Sequence, residues 1–510
     1  MANFTKDGYK PTYVGNVFVS ENIFKSQHFD RKVTVPKFED IKNELPIVRW
    51  DKHENIEKMY SRVWELAFEH IYLPKEESNF PSAYIDTAYN KNIFMWDSCF
   101  ITMFAKYGTS VFPFQNTLNN FYSKQHPDGF ICREIDDTGK DEFHRYDPVS
   151  TGPNIFSYSE DEYYRCFGDK SRLNDIFSPL VAFHQWLNKN RTWKDGSYWT
   201  TGWGSGMDNV PRVDSKYHIS YSHGFMSWVD ATLQQYINAS LLIDFGYELE
   251  RWQEILDIND EKKRLGEYIM NNMWDEERGF LFDVDKDGNR IKTMHIGAFW
   301  ILHTDLLNKE QLDKVVSKLS RGGEFYDKLM IPSIPKSDDN FKDDGCYWQG
   351  GIWAPMTYMV INGLIKKGYI KEAFDISKKC LSEVETVFTK TNTFFEYYSP
   401  TKAEPGLFAR EDFIGWTGLI PASVLIESIF GITCDRANNS VNWNVNLDEG
   451  FGISNFPFGQ NVLSLQSKGV KDGKLSLEIK STEDFELKIT WGKKLASRKI
   501  KKNTAESFTI

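Results

Sequence analysis

The stretch Ile370–Val387 reads IKEAFDISKKCLSEVETV, and its spacing decides the fold class. Ala373, Phe374, Ser377, Cys380, Leu381 and Val384 recur three and four residues apart. That period aligns them on one face of an α-helix and leaves most of the Lys, Asp and Glu for the other face. Upstream, the same rhythm returns in Trp353–Lys366, Asn308–Leu319, Lys262–Met273 and Trp228–Phe245. It begins at Ile56, Met59, Val63, Leu66, Ala67, His70 and Ile71, where Pro74 ends the run. Long loops rich in Gly, Asp and aromatic residues separate these helices, and loops of that length in a compact domain usually carry function. Many helices with rich loops between alternate pairs predict a closed ring of helix pairs. An open superhelical array is the competitor, but no fixed repeat period supports it.

The flanks read differently. Residues 1–48 form an irregular arm with extended pieces at Tyr13–Val19 and Lys32–Val35. After Cys434, the segments Val462–Leu465, Lys474–Ile479 and Phe485–Trp491 alternate apolar and polar residues, with a turn at Lys471–Gly473. The expected division is an arm at 1–48, a helical catalytic body at 49–433 and a small β-sandwich-like unit at 434–510.

Composition narrows the function. A net charge of −11 opposes a nucleic-acid partner, whose backbone attracts basic surfaces. Lys493, Lys494, Lys499, Lys501 and Lys502 are interleaved with other residues and read as a solvated edge. No run of about 18 apolar residues exists, so no membrane span is expected. Met1–Lys10 has no apolar signal core, so the cytoplasm is the default expectation. Cys99, Cys132, Cys166, Cys346, Cys380 and Cys434 lack zinc spacing and read as reduced thiols. Aromatic residues reach 15%, and several Trp neighbour Gly, Asp or Pro rather than apolar runs. A large core accounts for part of that content. The remainder suits a pocket in which rings stack on the flat C–H faces of a sugar.

Four segments stand out. The first is Trp96-Asp97-Ser98-Cys99-Phe100, followed by Gln125-His126-Pro127-Asp128-Gly129-Phe130. The second runs Gly202-Trp203-Gly204-Ser205-Gly206-Met207-Asp208-Asn209-Val210-Pro211-Arg212. The third is Tyr347-Trp348-Gln349-Gly350-Gly351-Ile352-Trp353. The fourth is Phe394-Phe395-Glu396-Tyr397-Tyr398-Ser399-Pro400, closed by Phe413-Ile414-Gly415-Trp416-Thr417.

Glycoside hydrolysis needs one carboxylic acid to protonate the leaving oxygen and a second carboxylate to activate water or attack carbon. The acid needs a raised pKa, which a poorly solvated aromatic pocket supplies. Asp208 and Glu396 are single carboxylates in largely uncharged surroundings. Each also has a plain structural reading. Asp208-Asn209 resembles a turn that bonds its own backbone, and Glu396 could neutralise a buried Arg. Trp348 and Trp353 suit a core as well as a ligand platform, and Asp97 suits a helix N-cap. Asp283-Val284-Asp285-Lys286-Asp287-Gly288 opens like a calcium loop, but Met294 occupies the position where such a loop needs Glu. A β-hairpin is the better reading.

Taken together and in order, the four segments resemble the clan of α/α-toroid glycosidases that holds the trehalases and glycoside hydrolase family 63. That family includes processing α-glucosidase I and the mannosylglycerate and glucosylglycerate hydrolases. The phrase around Asp208 is similar to its Ser-Gly-Met-Asp-Asn-x-Pro stretch. Tyr347–Trp353 is similar to its Tyr-Trp-Arg-Gly-Pro-Ile-Trp segment. Glu396-Tyr397-Tyr398 and Gly415-Trp416-Thr417 resemble its Glu-x-Tyr and Gly-Trp-Thr elements. The resemblance spans about residues 90–425.

It implies a mainly α fold, an (α/α)6 toroid with a small C-terminal antiparallel β unit. It further implies an inverting, exo-acting hydrolase of α-linked glucose-type sugars, with Asp208 as general acid and Glu396 as general base. Trp96, Asp97, Arg133, Trp203, Arg212, Trp348, Gln349, Gly350, Trp353 and Trp416 are the expected substrate-binding residues. No metal or cofactor is required. The partners expected are oligosaccharides, disaccharides or small glycosides.

The chain departs from the pattern where Gly204 replaces a common Glu, Gln349 an Arg, Gly351 a Pro and Thr357 an Asn. Replacing Arg by Gln removes a charged fork of donors, which bears on specificity. Glu404 is an alternative base. The competing functions are the same fold acting on a mannoside, rhamnoside or galactoside, a sugar-binding toroid without catalysis, and a phosphorylase. The last would need basic residues near position 396, where only Arg410 stands.

Overall fold

The most apolar helical segments, Met95–Ala105, Ile296–His303 and Ile420–Ile429, lie on the inside of the molecule. The computed structural model describes residues 15–87, 90–326 and 331–510. Among these, six helical segments contact one another in succession. Met95–Ala105 packs on Phe156–Phe167, which packs on Val229–Glu248. The 3₁₀ segment Ile296–His303 and the helix Ala354–Lys366 follow. The π-helical Ile420–Ile429 then returns to Met95–Ala105 and closes the ring. Every residue of Met95–Ala105 and of Ile420–Ile429 is buried, as a helix apolar all round must be.

Outside this ring lie Glu54–Glu69, Thr117–Ser123, Lys170–Asn190, Leu256–Tyr268 and Ile370–Thr391, each against one or two inner segments. The longer ones are amphipathic. On Ile370–Thr391 the buried stripe is Ala373, Ile376, Ser377, Cys380, Leu381 and Val384, and Phe374 is only half-buried. Asn392 ends that helix in the left-handed conformation at φ 57°. Among the described residues no helix is long and apolar enough to cross a membrane.

The C-terminal unit comprises two sheets. One is ordered Ile47–Trp50, Phe451–Phe458, Asn461–Lys471, Lys474–Ser481, Ala505–Thr509. The other is ordered Lys494–Ile500, Phe485–Trp491, Ser440–Val445, Ile432–Asp435. Trp443 of the second sheet meets Phe451 of the first edge-on at 6.0 Å, within their shared core.

Several expectations need correction here. The unit is antiparallel except that Ser440–Val445 runs parallel to Phe485–Trp491. Its first strand comes from the N-terminal region, because Ile47–Trp50 pairs with Phe451–Phe458, far along the chain. Val17–Ser20 is a helical turn capped by Asn16, not an extended piece, and Tyr13 and Val14 lie outside the described residues. Lys32–Val35 enters no sheet. Asp283–Gly288 does turn back as a hairpin, with Val284 bridged to Arg290 and Asp285 accepting from the backbone of Asp287 and Asn289.

Candidate active site

Trp96 and Asp97 sit in the first turn of an inner helix. The start of that helix is fixed by a short ladder between Ile93–Phe94 and Glu134–Ile135 and by the Met95 amide bonding the Arg133 carbonyl at 2.8 Å. Phe94, not Asp97, occupies the N-cap. Asp97 is therefore free to face inward. Its Oδ1, the indole Nε1 of Trp96 and Nε of Arg133 are buried with no hydrogen-bond partner among the described residues. Buried polar atoms in this state are uncommon, and these three residues converge on one cavity.

Asp208 arrives on the glycine-rich turn. Thr201 caps the short helix Gly202–Ser205, and Gly206 then reverses the chain at φ 73°. A Cβ on Gly206 would stand 2.9 Å from the Trp96 ring, so only glycine lets the turn lie against that indole. Arg212 anchors the far end of the turn. It is buried, forms a two-pronged bond to Asp230 at 2.8 and 2.9 Å, and stacks over Trp228.

Glu396 lies on an extended segment bridged to residues 410–411. The Trp416 indole donates to the Glu396 carbonyl at 2.8 Å, and the Thr417 hydroxyl to that of Phe395 at 2.7 Å. The Glu396 carboxylate accepts from the Tyr347 hydroxyl at 3.0 Å.

These elements enclose a cavity of about 170 Å³, walled by Met95, Trp96, Asp97, Arg133, Trp203, Asp208, Tyr347, Glu396 and Trp416, with Phe94, Gly152, Pro153 and Gly206 between them. Drug-sized pockets begin at roughly 300 Å³, so the space suits a single small ring. Arg133 lies over the rings of Phe143 and Trp203 and supplies the positive charge.

Burial raises the pKa of all three carboxyl groups. Asp208 is pushed up to about 7, mainly by burial, with Arg133 opposing and Glu396 adding to the rise. Asp97 is raised well above the usual range by burial, and the charges of Glu396 and Asp208 reinforce this. Glu396 is raised by burial but held back by the Tyr347 hydrogen bond and the Arg410 charge. The site thus holds a carboxyl shifted to near neutrality beside Glu396, whose own rise is partly offset by its hydrogen bond.

Seven of the residues singled out from sequence meet here: Trp96, Asp97, Arg133, Trp203, Asp208, Glu396 and Trp416. Five do not line the cavity. Arg212 is consumed by its ion pair with Asp230. Trp348 and Trp353 stack face to face at 4.2 Å in the core. Gln349 and Gly350 belong to the supporting loop, where the Gly350 amide bonds Ser333 Oγ at 2.9 Å. Glu404 is exposed and away from the cavity. At Gly204 a Cβ would fall 2.5 Å from Thr200 Oγ1, so a side chain there would require Thr200 to move.

Sequence reasoning passes over Tyr347 and Asn209. Tyr347 opens the third segment, and its hydroxyl is the polar handle there. Asn209 bonds the Cys346 carbonyl at 3.0 Å and accepts from the Trp348 amide at 2.8 Å. It ties the Asp208 turn to the loop that carries Tyr347.

A family model, the mannosylglycerate hydrolase MGH1-like glycoside hydrolase domain, matches residues 90–417. The chain belongs to this family. All of the cavity-lining residues fall inside the matched range. Among relatives of this MGH1-like protein, a mannosylglycerate hydrolase of Thermus thermophilus is 24% identical over 295 residues, covering 45% of this chain and 66% of the relative. The solved family 63 mannosylglycerate hydrolase from another strain of Thermus thermophilus, in complex with glucose, superposes with a TM-score of 0.58 at 20% identity. That match covers 71% of this chain and 98% of the other. A family 78 rhamnosidase of a Bacillus species gives a TM-score of 0.64 at 15% identity, over 88% of this chain and 43% of that one. By family, the MGH1-like chain is a glycoside hydrolase.

Proposed function

We propose that this protein is an inverting, exo-acting hydrolase of α-linked glucose-type sugars, with Asp208 as general acid and Glu396 as general base. Its helical body, residues 49–433, would be an (α/α)6 toroid, with 434–510 as an appended β unit and 1–48 as an arm. One observation carries the reading. Asp208, raised to about 7, and Glu396, hydrogen-bonded by Tyr347, line one cavity sized for a single ring.

In the reaction, the Asp208 carboxyl gives its proton to the glycosidic oxygen as the bond from that oxygen to the anomeric carbon breaks. Glu396 draws a proton from a water whose oxygen bonds the opposite face of that carbon. Inversion follows, and such a pair of carboxyl groups stands roughly 6.5–9.5 Å apart to leave room for the water. Asp97 and Arg133 bind hydroxyls of the sugar, and Trp96, Trp203 and Trp416 form its walls.

The sugar has a second reading. The named relatives include a mannosylglycerate hydrolase, so an α-mannoside is the first alternative to glucose. The test is a hydrolysis screen on methyl α-glucoside, α-linked disaccharides, glucosylglycerate and mannosylglycerate, with the released anomer followed by NMR. A β-anomer from a glucoside supports the proposal. Retained configuration overturns the carboxylate roles, and turnover of mannosides alone overturns the glucose assignment.

A further inference from the structure

A second and larger cavity, about 670 Å³, lies between the ring and the four-stranded sheet, lined by both. Its ring side is a closed charge network. Lys106 sits 3.2 Å from Glu162 and 3.4 Å from Glu427, Lys366 is 2.8 Å from Glu162, and Arg165 is paired with Asp161. Tyr107 and Tyr358 donate to Glu427.

The sheet side is unusual in its polarity. Strands alternate their side chains between faces. Val441, Trp443, Val445 and Leu487 are buried on one face. The opposite face turns to the cavity and carries an in-register row of Ser497, Lys488, Asn442 and Thr433, one from each strand. Thr490 opposite Asn444 starts a second row. The side chains of Thr433, Asn442, Asn444, Lys488 and Thr490 have no hydrogen-bond partner among the described residues, yet all are half-buried. Four strands spaced about 4.8 Å apart make such a row roughly 14 Å long.

We propose that this cavity is a second binding site, and that its ligand is a neutral polyhydroxylated molecule of sugar size. The charges on the ring side are paired among themselves. Lys106, Lys366 and Arg165 are met by Glu162, Glu427 and Asp161. Lys488 is in no ion pair among the described residues, and Asp435, on the same wall, is bonded by Asn438, so the wall is left close to neutral, with Lys488 as its one loose charge. What remains is a set of amide and hydroxyl groups that both donate and accept, beside the apolar Ile365, Ile370 and Leu495, matched to a molecule that carries hydroxyls and C–H faces. The volume falls within the roughly 300–1,000 Å³ of small-molecule sites. The site lies at the other end of the inner helix that presents Asp97, since Met95–Ala105 leads directly into Lys106.

The test is crystal soaking and calorimetry of the full chain with methyl α-glucoside, maltose and, separately, inorganic phosphate. The proposal expects sugar seated on Asn442 and Asn444. In N442A/N444A that binding should weaken at least 10-fold, while hydrolysis in the other cavity stays within about twofold. These asparagines use only backbone groups in the ladder, so the sheet should survive the change; T490V is the milder second variant. Only water in the cavity at saturating sugar, preference for phosphate, or binding unchanged in both variants would each overturn the proposal. Because the readout is the seat of the ligand, it stands or falls separately from the catalytic assignment.

Discussion

Tyr347 donates its hydroxyl to Oε1 of Glu396 at 3.0 Å from a backbone held in the left-handed region at φ 69°. A non-glycine residue there costs on the order of 1–3 kcal/mol and persists where the surroundings enforce it. The hydrogen bond stabilises the carboxylate form of Glu396 against its burial. Y347F should therefore raise the Glu396 pKa further. The acid limb of kcat/KM should move up by roughly 0.5–1 pH unit, the equivalent of one hydrogen bond of about 1 kcal/mol. An acid limb that does not move in a folded Y347F enzyme would assign the hydroxyl to packing alone.

For the unmodified enzyme, kcat/KM should be bell-shaped. Activity falls on the alkaline side near pH 7, as Asp208 loses its proton. It falls on the acid side above the ordinary Glu range, as Glu396 gains one. An alkaline limb still flat at pH 9 would remove Asp208 as the acid.

D208N should lose about 10³-fold or more in kcat, within the range general acids contribute together with positioning. It should also be more stable at pH 8. Asp208 is raised from 3.8 to about 7 in the folded chain. Between those values the folded state binds more protons than the unfolded one, so stability falls as pH rises through the window. Asn removes that penalty, worth up to about 4 kcal/mol at pH 8. Urea unfolding at pH 4 and pH 8 measures it; a gain equal at both values would point to another cause.

N209A should remove the two bonds that tie the 346–348 loop to the Asp208 turn. Cys346 and Tyr347 both have positive φ, so the loop should relax once released. The expected loss is about 10- to 100-fold in kcat with about 1–3 kcal/mol of stability. Wild-type kcat in N209A would show that the loop holds itself.

Arg212 and Trp348 should behave as structural residues. R212M leaves Asp230 buried without its ion-pair partner and Asp283 with only His295 and the Val229 amide, and should cost about 3–5 kcal/mol. W348A removes one of two stacked indoles and should cost about 3–5 kcal/mol. In either variant, KM of the folded fraction at low temperature should stay within about threefold of wild type, since neither side chain reaches the cavity. A large KM change with stability intact would return them to the substrate.

Much of this was legible in the chain. The stripe through Ala373, Ser377, Cys380, Leu381 and Val384 predicted the face that is buried, because a helix turns every 3.6 residues whatever surrounds it. The isolation of Asp208 and Glu396 among aromatic residues marked them as carboxylates needing a reason to be buried. The strand at Ile47–Trp50 was not legible. A four-residue strand acquires its partner from Phe451–Phe458, and no local signal reports a neighbour so distant in sequence.

The sequence by itself determined residue types, helix period and strand alternation, because these follow from local backbone geometry. The tertiary structure alone decided which way each loop residue faces. Tyr347 and Trp348 are adjacent, yet one lines the cavity and the other stacks in the core. A loop has no period to set that choice. It comes from Asn209 reaching across the molecule, just as it is burial, with Glu396 nearby and against the pull of Arg133, that raises Asp208 to about 7.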